Sequence, residues 1–326
     1  MRAAPQDTGT LNRSAALASI GTALFLLALK SWAAWSTGST AMLGSLADTT
    51  LDLVASLVTL AGVWIAAMPA DDKHRFGHGK AEAIAALFQI VLISISALGI
   101  AARAIEQLFA GTRTQAAAEG IGVSLAAIAV TLALIAWQRH VIGRTGSIAI
   151  QTDAVHYQSD LLLNGAVILA LVLDQYAGFG RADPLFGFAI ACWLGWGSWK
   201  ASAQVIEQLM DHEWPQEKKE RFLAVLARNS DITGVHDLRT RTSGNRDFVQ
   251  FHVWVDPGMT IRDAHQVMDD IEERLQAEFP DVEILIHPDP EGLVNEEGKA
   301  AEDVLPHVCD VEEYFAGQEG EAKAAS

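Results

Sequence analysis

The chain has 326 residues, half of them hydrophobic, a mean hydropathy of +0.20 and a formal net charge of −17. The charge is lopsided: residues 1–208 hold 12 Lys and Arg against 13 Asp and Glu, and the remainder 11 against 27. Such an acidic last third disfavours nucleic acid as a partner and suits cations, while two cysteines, Cys192 and Cys309, make neither a disulfide framework nor a thiolate zinc site.

In chain order, six runs reach the roughly 20 apolar residues that a bilayer requires. They are Ser14 to Trp35, Thr40 to Met68, Ala81 to Phe109, Ala116 to Trp137, Ser147 to Leu173 and Pro184 to Ile206. The first continues to full spanning length without a small-residue cleavage site, so it reads as a span rather than a cleaved signal. Lys73, Arg75 and Lys80 follow span two and Arg139 and Arg144 follow span four, whereas the loops on the other side offer only Arg113 and Arg181. Basic loops stay inside, so an even number of spans places both termini in the cytoplasm. Trp35, Trp64, Trp137 and Trp199 near predicted span ends suit the membrane interface.

Two pairs of metal-ligand residues interrupt these runs at i, i+4 spacing: Asp48 and Asp52 in span two, His156 and Asp160 in span five. That spacing brings each pair onto one helix face. A charged side chain at a helix centre costs roughly 2.5–3.5 kcal/mol even on lenient insertion scales, so it demands a partner or a task. Span two has its midpoint near Val54 and span five near Asp160, which puts both pairs at similar depth. Interhelical hydrogen bonding is the plainer reading, but three carboxylates exceed that need. Three oxygens and one imidazole suit tetrahedral zinc and other first-row divalent metals, and no sulfur favours monovalent copper. Ligands must lose protons to bind metal, so protons and metal compete, with His156 the readiest to exchange near neutrality. The expected activity is metal/proton antiport; a passive divalent-metal channel or a membrane metal sensor is the alternative. An enzyme is disfavoured, because no general base, nucleophile motif or nucleotide-binding loop accompanies the site.

The loop after span two, Asp71-Asp72-Lys73-His74-Arg75-Phe76-Gly77-His78-Gly79-Lys80, holds a second cluster. Asp71, His74 and His78 fall three and four apart, which fits three ligands on one turn and equally a solvated loop that sets topology. From Trp214 the periodicity becomes that of a small soluble domain. A helix over Pro215 to Asn229, strands over Val235 to Thr242 and Asp247 to Val255, a helix over Thr260 to Phe279 opened by a Thr260/Asp263 cap, and a strand over Val282 to His287 follow. This αββαβ order predicts a sheet with helices on one face. His236, His252, His265, His287 and Asp289 come from different elements and are candidate ligands. The chain is thus expected to be an α-helical polytopic membrane protein with a cytoplasmic α+β domain. Its boundaries are a cytoplasmic segment 1–13, a transport domain 14–208, the soluble domain 209–290 and an acidic flexible tail 291–326 holding His307 and Cys309.

These residues resemble the cation diffusion facilitator family, and within it the bacterial zinc and ferrous-iron efflux branch. The likeness runs from about Leu11 to Pro290 and is carried by Ala47-Asp48-Thr49-Thr50-Leu51-Asp52, by Pro69-Ala70-Asp71-Asp72 with Phe76-Gly77-His78-Gly79-Lys80-Ala81-Glu82, by Asp153-Ala154-Val155-His156-Tyr157-Gln158-Ser159-Asp160, and by His236-Asp237-Leu238-Arg239-Thr240-Arg241. The resemblance implies a homodimer in the bacterial inner membrane, with a copper-chaperone-like cytoplasmic domain that dimerises. It implies transport of zinc, ferrous iron or cadmium at Asp48, Asp52, His156 and Asp160, and a second metal at Asp71, His74 and His78. A binuclear zinc site at His236, His252, His265, His287 and Asp289 and a charge contact of Lys80, with Asp211 as its partner, complete the set. Two departures stand out. The loop between spans four and five lacks the histidine-rich run of many eukaryotic members, and the extension after Pro290 is longer than the family core requires. Members that carry manganese tend to replace the residue at His156 by a carboxylate.

Overall fold

The computed structural model describes residues 5–37, 40–110, 120–177, 182–227, 234–244, 246–292 and 303–306. The chain divides into two compact units, Met1–Leu209 and Met210–Ser326. The first holds six long helices: α1 Pro5–Thr37, α2 Thr40–Ala66, α3 Lys80–Ala110, α4 Gly120–Thr145, α5 Ile148–Ala177 and α6 Ala182–Leu209. Among the described residues, four stretches, one in each of α1 to α4, are long and apolar enough to cross a membrane. The first half of α5 carries the polar residues Gln151, Thr152, Asp153, His156, Ser159 and Asp160. The segment expected to precede the first span is helical from Pro5 onward. Large apolar side chains such as Leu17, Phe25, Ile84 and Leu98 face outward, as suits helices bathed in hydrocarbon rather than water.

Helix α1 packs beside α2 and α4, α3 beside α6, α2 and α5, and α5 beside α4 and α6. Small residues allow the closest approach: a Cβ on Gly62 of α2 would lie 2.4 Å from the Ala85 Cβ on α3, so any side chain there would force the two helices apart. One helical level further along, Gln89 Nε2 donates to Thr59 Oγ1 at 2.7 Å. The two helices therefore run antiparallel with Thr59 beside Gln89.

The second unit follows the expected order, with α7 Gln216–Leu226, β1 Gly234–Ser243, β2 Arg246–Val255, α8 Ile261–Glu278 and β3 Val282–Pro290. A short strand, β4 Asp303–Pro306, pairs antiparallel with β1 and gives the sheet order β3-β2-β1-β4. Part of the segment read as flexible tail is thus an edge strand; His307 and Cys309 lie outside the described residues. Strands β2 and β3 are parallel, joined through α8, and β1 and β2 are antiparallel. Thr260 caps α8 as expected, accepting from the Asp263 N–H and donating to its carboxylate at 2.7 Å. Phe222, Leu226, Val249, Phe251, Val253, Ile271 and Leu275 form the core between helices and sheet. Alternation along β2 leaves the even-numbered residues, among them His252 and Trp254, on the opposite sheet face.

Candidate metal centres

In the helical unit, three of the four anticipated ligands converge. His156 Nε2 lies 2.9 Å from Asp52 Oδ1 and 3.9 Å from Asp160 Oδ2. One ligand atom from each of Asp52, His156 and Asp160 falls within 4.8 Å of the others. Asp48 stands apart from that trio. It is exposed and lines the same cavity of 260 Å³, whose walls come from α2, α3, α5 and α6. The i, i+4 spacing accounts for His156 and Asp160 sharing a face of α5, and the antiparallel packing of α2 brings Asp52 across to them. Lys30 on α1 reaches the buried Thr49, between the two aspartates, at 2.6 Å.

A further carboxylate was not singled out by spacing. Asp153, one turn before His156, is fully buried. Its Oδ1 accepts from Gln89 Nε2 at 2.8 Å, and its Oδ2 from Gln138 Nε2 at 2.7 Å and from Ser19 Oγ at 2.5 Å. Donors from α1, α3 and α4 thus satisfy one group on α5. The cost of a charge at bilayer depth, the argument that finds Asp52 and Asp160, flags Asp153 as well.

In the loop, Asp71 accepts from the backbone N–H groups of Lys73 and His74 at 2.9 and 2.6 Å. The His74 N–H above all holds the Asp71 carboxyl below its ordinary range. Gly77, with φ of +79°, donates its N–H to the His74 carbonyl at 2.9 Å. That turn demands a left-handed residue and folds His78 back over His74, with Nε2 and Nδ1 3.1 Å apart. His78 Nε2 is also 3.5 Å from Asp71 Oδ2, while its Nδ1 is buried with no hydrogen-bond partner among the described residues. The spacing alone left two readings open; the geometry draws all three side chains together. At the start of α3, Lys80 Nζ donates to the Leu209 carbonyl at 3.1 Å.

In the second unit, strand register builds the site. His236 pairs with His252 across β1 and β2, and His252 with His287 across β2 and β3, so three histidines lie abreast on one sheet face. Asp289, two residues past His287 on the same face, joins them. Its Oδ2 lies 3.1 Å from His236 Nε2 and 2.8 Å from His252 Nδ1, and its Oδ1 3.3 Å from His287 Nε2. Burial alone would raise the Asp289 carboxyl, but the hydrogen bonds from His252 and His236 outweigh it and hold the group below its ordinary value. His236 stacks on Trp254 with ring centroids 4.0 Å apart, and its Nδ1 is buried without a partner among the described residues.

Two details depart from the expected ligand set. His265 on α8 is 70% exposed and pairs with Asp269 one turn along at 3.7 Å; it does not join the group around Asp289. A helix on the core face cannot readily present a ligand to the opposite face of its own sheet. Asp237 does approach: a bulge between His236 and Arg239, with Asp237 at φ of +49°, sets its Oδ2 3.7 Å from His252 Nε2. Asp211 Oδ2 lies 3.7 Å from Arg241 Nη1.

Comparison with known proteins places these centres in context. Residues 16–210 match the family model of the cation efflux transmembrane domain and residues 214–291 that of the cation efflux protein cytoplasmic domain. The cation-efflux pump FieF of Escherichia coli is 38% identical over 294 residues, covering 90% of this chain and 98% of that protein, and the FieF of Shigella flexneri matches to the same extent. Among solved structures, the metal-bound C-terminal domain of the CzcD transporter from Thermotoga maritima is 28% identical, covering 25% of this chain and 99% of that one with a TM-score of 0.24. On the match of both domain models and this near full-length identity, the chain belongs to the cation diffusion facilitator family, in its FieF-like branch.

Proposed function

We propose that the chain exports divalent metal from the cytoplasm, zinc foremost with ferrous iron and cadmium as further cargo, in exchange for protons moving inward. The observation that supports this best is the convergence of Asp52, His156 and Asp160 in a cavity that Asp48 also lines. Carboxylate and imidazole donors suit a borderline divalent ion such as zinc. The same groups take up protons when metal leaves, so binding of one expels the other. Each proton entering down a membrane potential releases about 2.3 kcal/mol per 100 mV.

In this reading α1 to α6 all span the bacterial inner membrane with both termini in the cytoplasm. Two copies associate through the soluble unit. The loop trio and the histidine ladder would each hold zinc: their donor sets fit, and each contains a histidine whose Nδ1 is buried and unpaired among the described residues. The test is zinc flux in reconstituted vesicles with and without an imposed pH gradient. Gradient-driven accumulation supports antiport, downhill flux indifferent to pH indicates a channel, and binding without flux indicates a sensor.

A further inference from the structure

Helix α3 gives the metal cavity a wall of mainly apolar side chains, but it also contributes Arg103. Because Thr59 lies beside Gln89 and the helices are antiparallel, counting along both puts Asp48 level with about Ile100 and Arg103 about one turn beyond. Helical side chains lean toward the helix N-terminus. For Arg103 that direction runs back over Gly99, where a Cβ would meet nothing within 4 Å, and so toward Asp48. Arg103 is exposed, and among the described residues no carboxylate, Glu106 one turn along included, forms an ion pair with it. Cations at membrane depth are costly unless they face a polar cavity or snorkel to the interface.

We propose that Arg103 is an affinity-setting residue of the transport site: its permanent positive charge opposes the bound metal and hastens release, then pairs with Asp48 once the metal has gone. This inference rests on the reading of Asp52, His156 and Asp160 as the transport site. A unit charge about 8 Å from a divalent ion, across a watery cavity of effective dielectric about 60, shifts its binding about tenfold. A transporter needs such tuning, since a site that holds its ion too tightly cannot deliver it.

The test is zinc uptake by the full chain in vesicles, with a charge series at one position. Arg103→Gln should lower KM about tenfold and lower the maximal rate as release slows, and Arg103→Glu should lower KM about a hundredfold. Arg103→Lys should stay near wild type. The spread should shrink at high salt, which screens charge but not packing. Arg103→Ala makes the same charge change as the Gln variant by another side chain and serves should that variant fail to assemble. A KM within twofold of wild type for the neutral and acidic variants, or a Lys variant that behaves like Gln, would overturn the inference and identify a snorkelling arginine. Asp160→Ala run in parallel separates the two readings: if it transports normally the site itself is misassigned, and if it is dead while the Arg103 series is flat, only the role of Arg103 falls.

Discussion

The proposed transport site makes an ordered prediction for its three carboxylates. Four-ligand zinc sites bind with about 10–16 kcal/mol at neutral pH, roughly 3 kcal/mol per ligand. With tenfold in affinity for every 1.4 kcal/mol, the loss of one true ligand should weaken zinc about a hundredfold. Asp52 Oδ1 sits 2.9 Å from His156 Nε2 and Asp160 Oδ2 3.9 Å from it, so Asp52→Ala and Asp160→Ala should each show that loss. Asp48 lines the cavity outside the cluster. Its removal should cost about tenfold, the effect of a lost charge acting across several ångströms of polar cavity. The measurement is the zinc concentration dependence of flux in vesicles, with thermal unfolding to confirm that each variant folds. If Asp48→Ala proves as damaging as Asp52→Ala, the site closes as a four-ligand cage and the separation of Asp48 has no functional meaning. Near wild-type flux in both Asp52→Ala and Asp160→Ala would remove the site altogether.

The remaining expectations concern selectivity, the soluble unit and the buried network. His156→Asp replaces the one nitrogen donor with oxygen, so affinity should move from zinc toward manganese, as read by calorimetric titration; an unchanged preference would place selectivity elsewhere. Zinc should tighten dimers of the soluble unit, by about 2.7 kcal/mol at a hundredfold excess over Kd. Sedimentation should show this lost in His236→Ala and kept in His265→Ala, whose side chain stands away from Asp289. Because the folded Asp289 carboxyl is held below its unfolded value, its stabilisation is complete above the ordinary carboxylate pKa of 3.8 and fades as pH falls through the lower folded value. Melting of the chelator-treated unit from pH 6 to pH 3 should therefore lose part of its acid dependence in Asp289→Asn. Asp153→Asn leaves one of its buried donors facing an amide N–H₂ and should destabilise the helical unit by about 1–3 kcal/mol, seen as a lower melting temperature.

Periodicity exposed what local rules govern. The pairs Asp48/Asp52 and His156/Asp160 were legible because a charge four residues from another, inside an apolar run, has few explanations. The order of helices and strands in the soluble unit was legible from alternation and from the Thr260 cap. Register was not. Which histidines share a site depends on His236, His252 and His287 lying abreast across three strands, and on a bulge that turns Asp237 toward His252, while His265 remains on the other side of the sheet. Strand β4 was equally hidden, since four residues in an acidic stretch carry too little alternation to read and become a strand only by pairing with β1.

Asp153 shows why a buried charge alone does not identify a metal ligand. It and Asp160 lie two turns apart on α5 and would carry the same desolvation cost in isolation. Asp153 accepts three side-chain hydrogen bonds, from Ser19, Gln89 and Gln138, and needs no ion. The trio at Asp52, His156 and Asp160 has two carboxylates around one imidazole, so whichever proton His156 supplies, the two oxygens facing the cavity retain acceptor capacity that only protons, water or a cation can fill. The distinction is a count of donors, and those donors, on α1, α3 and α4, lie 134, 64 and 15 residues before Asp153. A carboxylate that the bundle satisfies locks helices together; one that it leaves short of donors is free to exchange its partner, and that deficit is what a transport site requires.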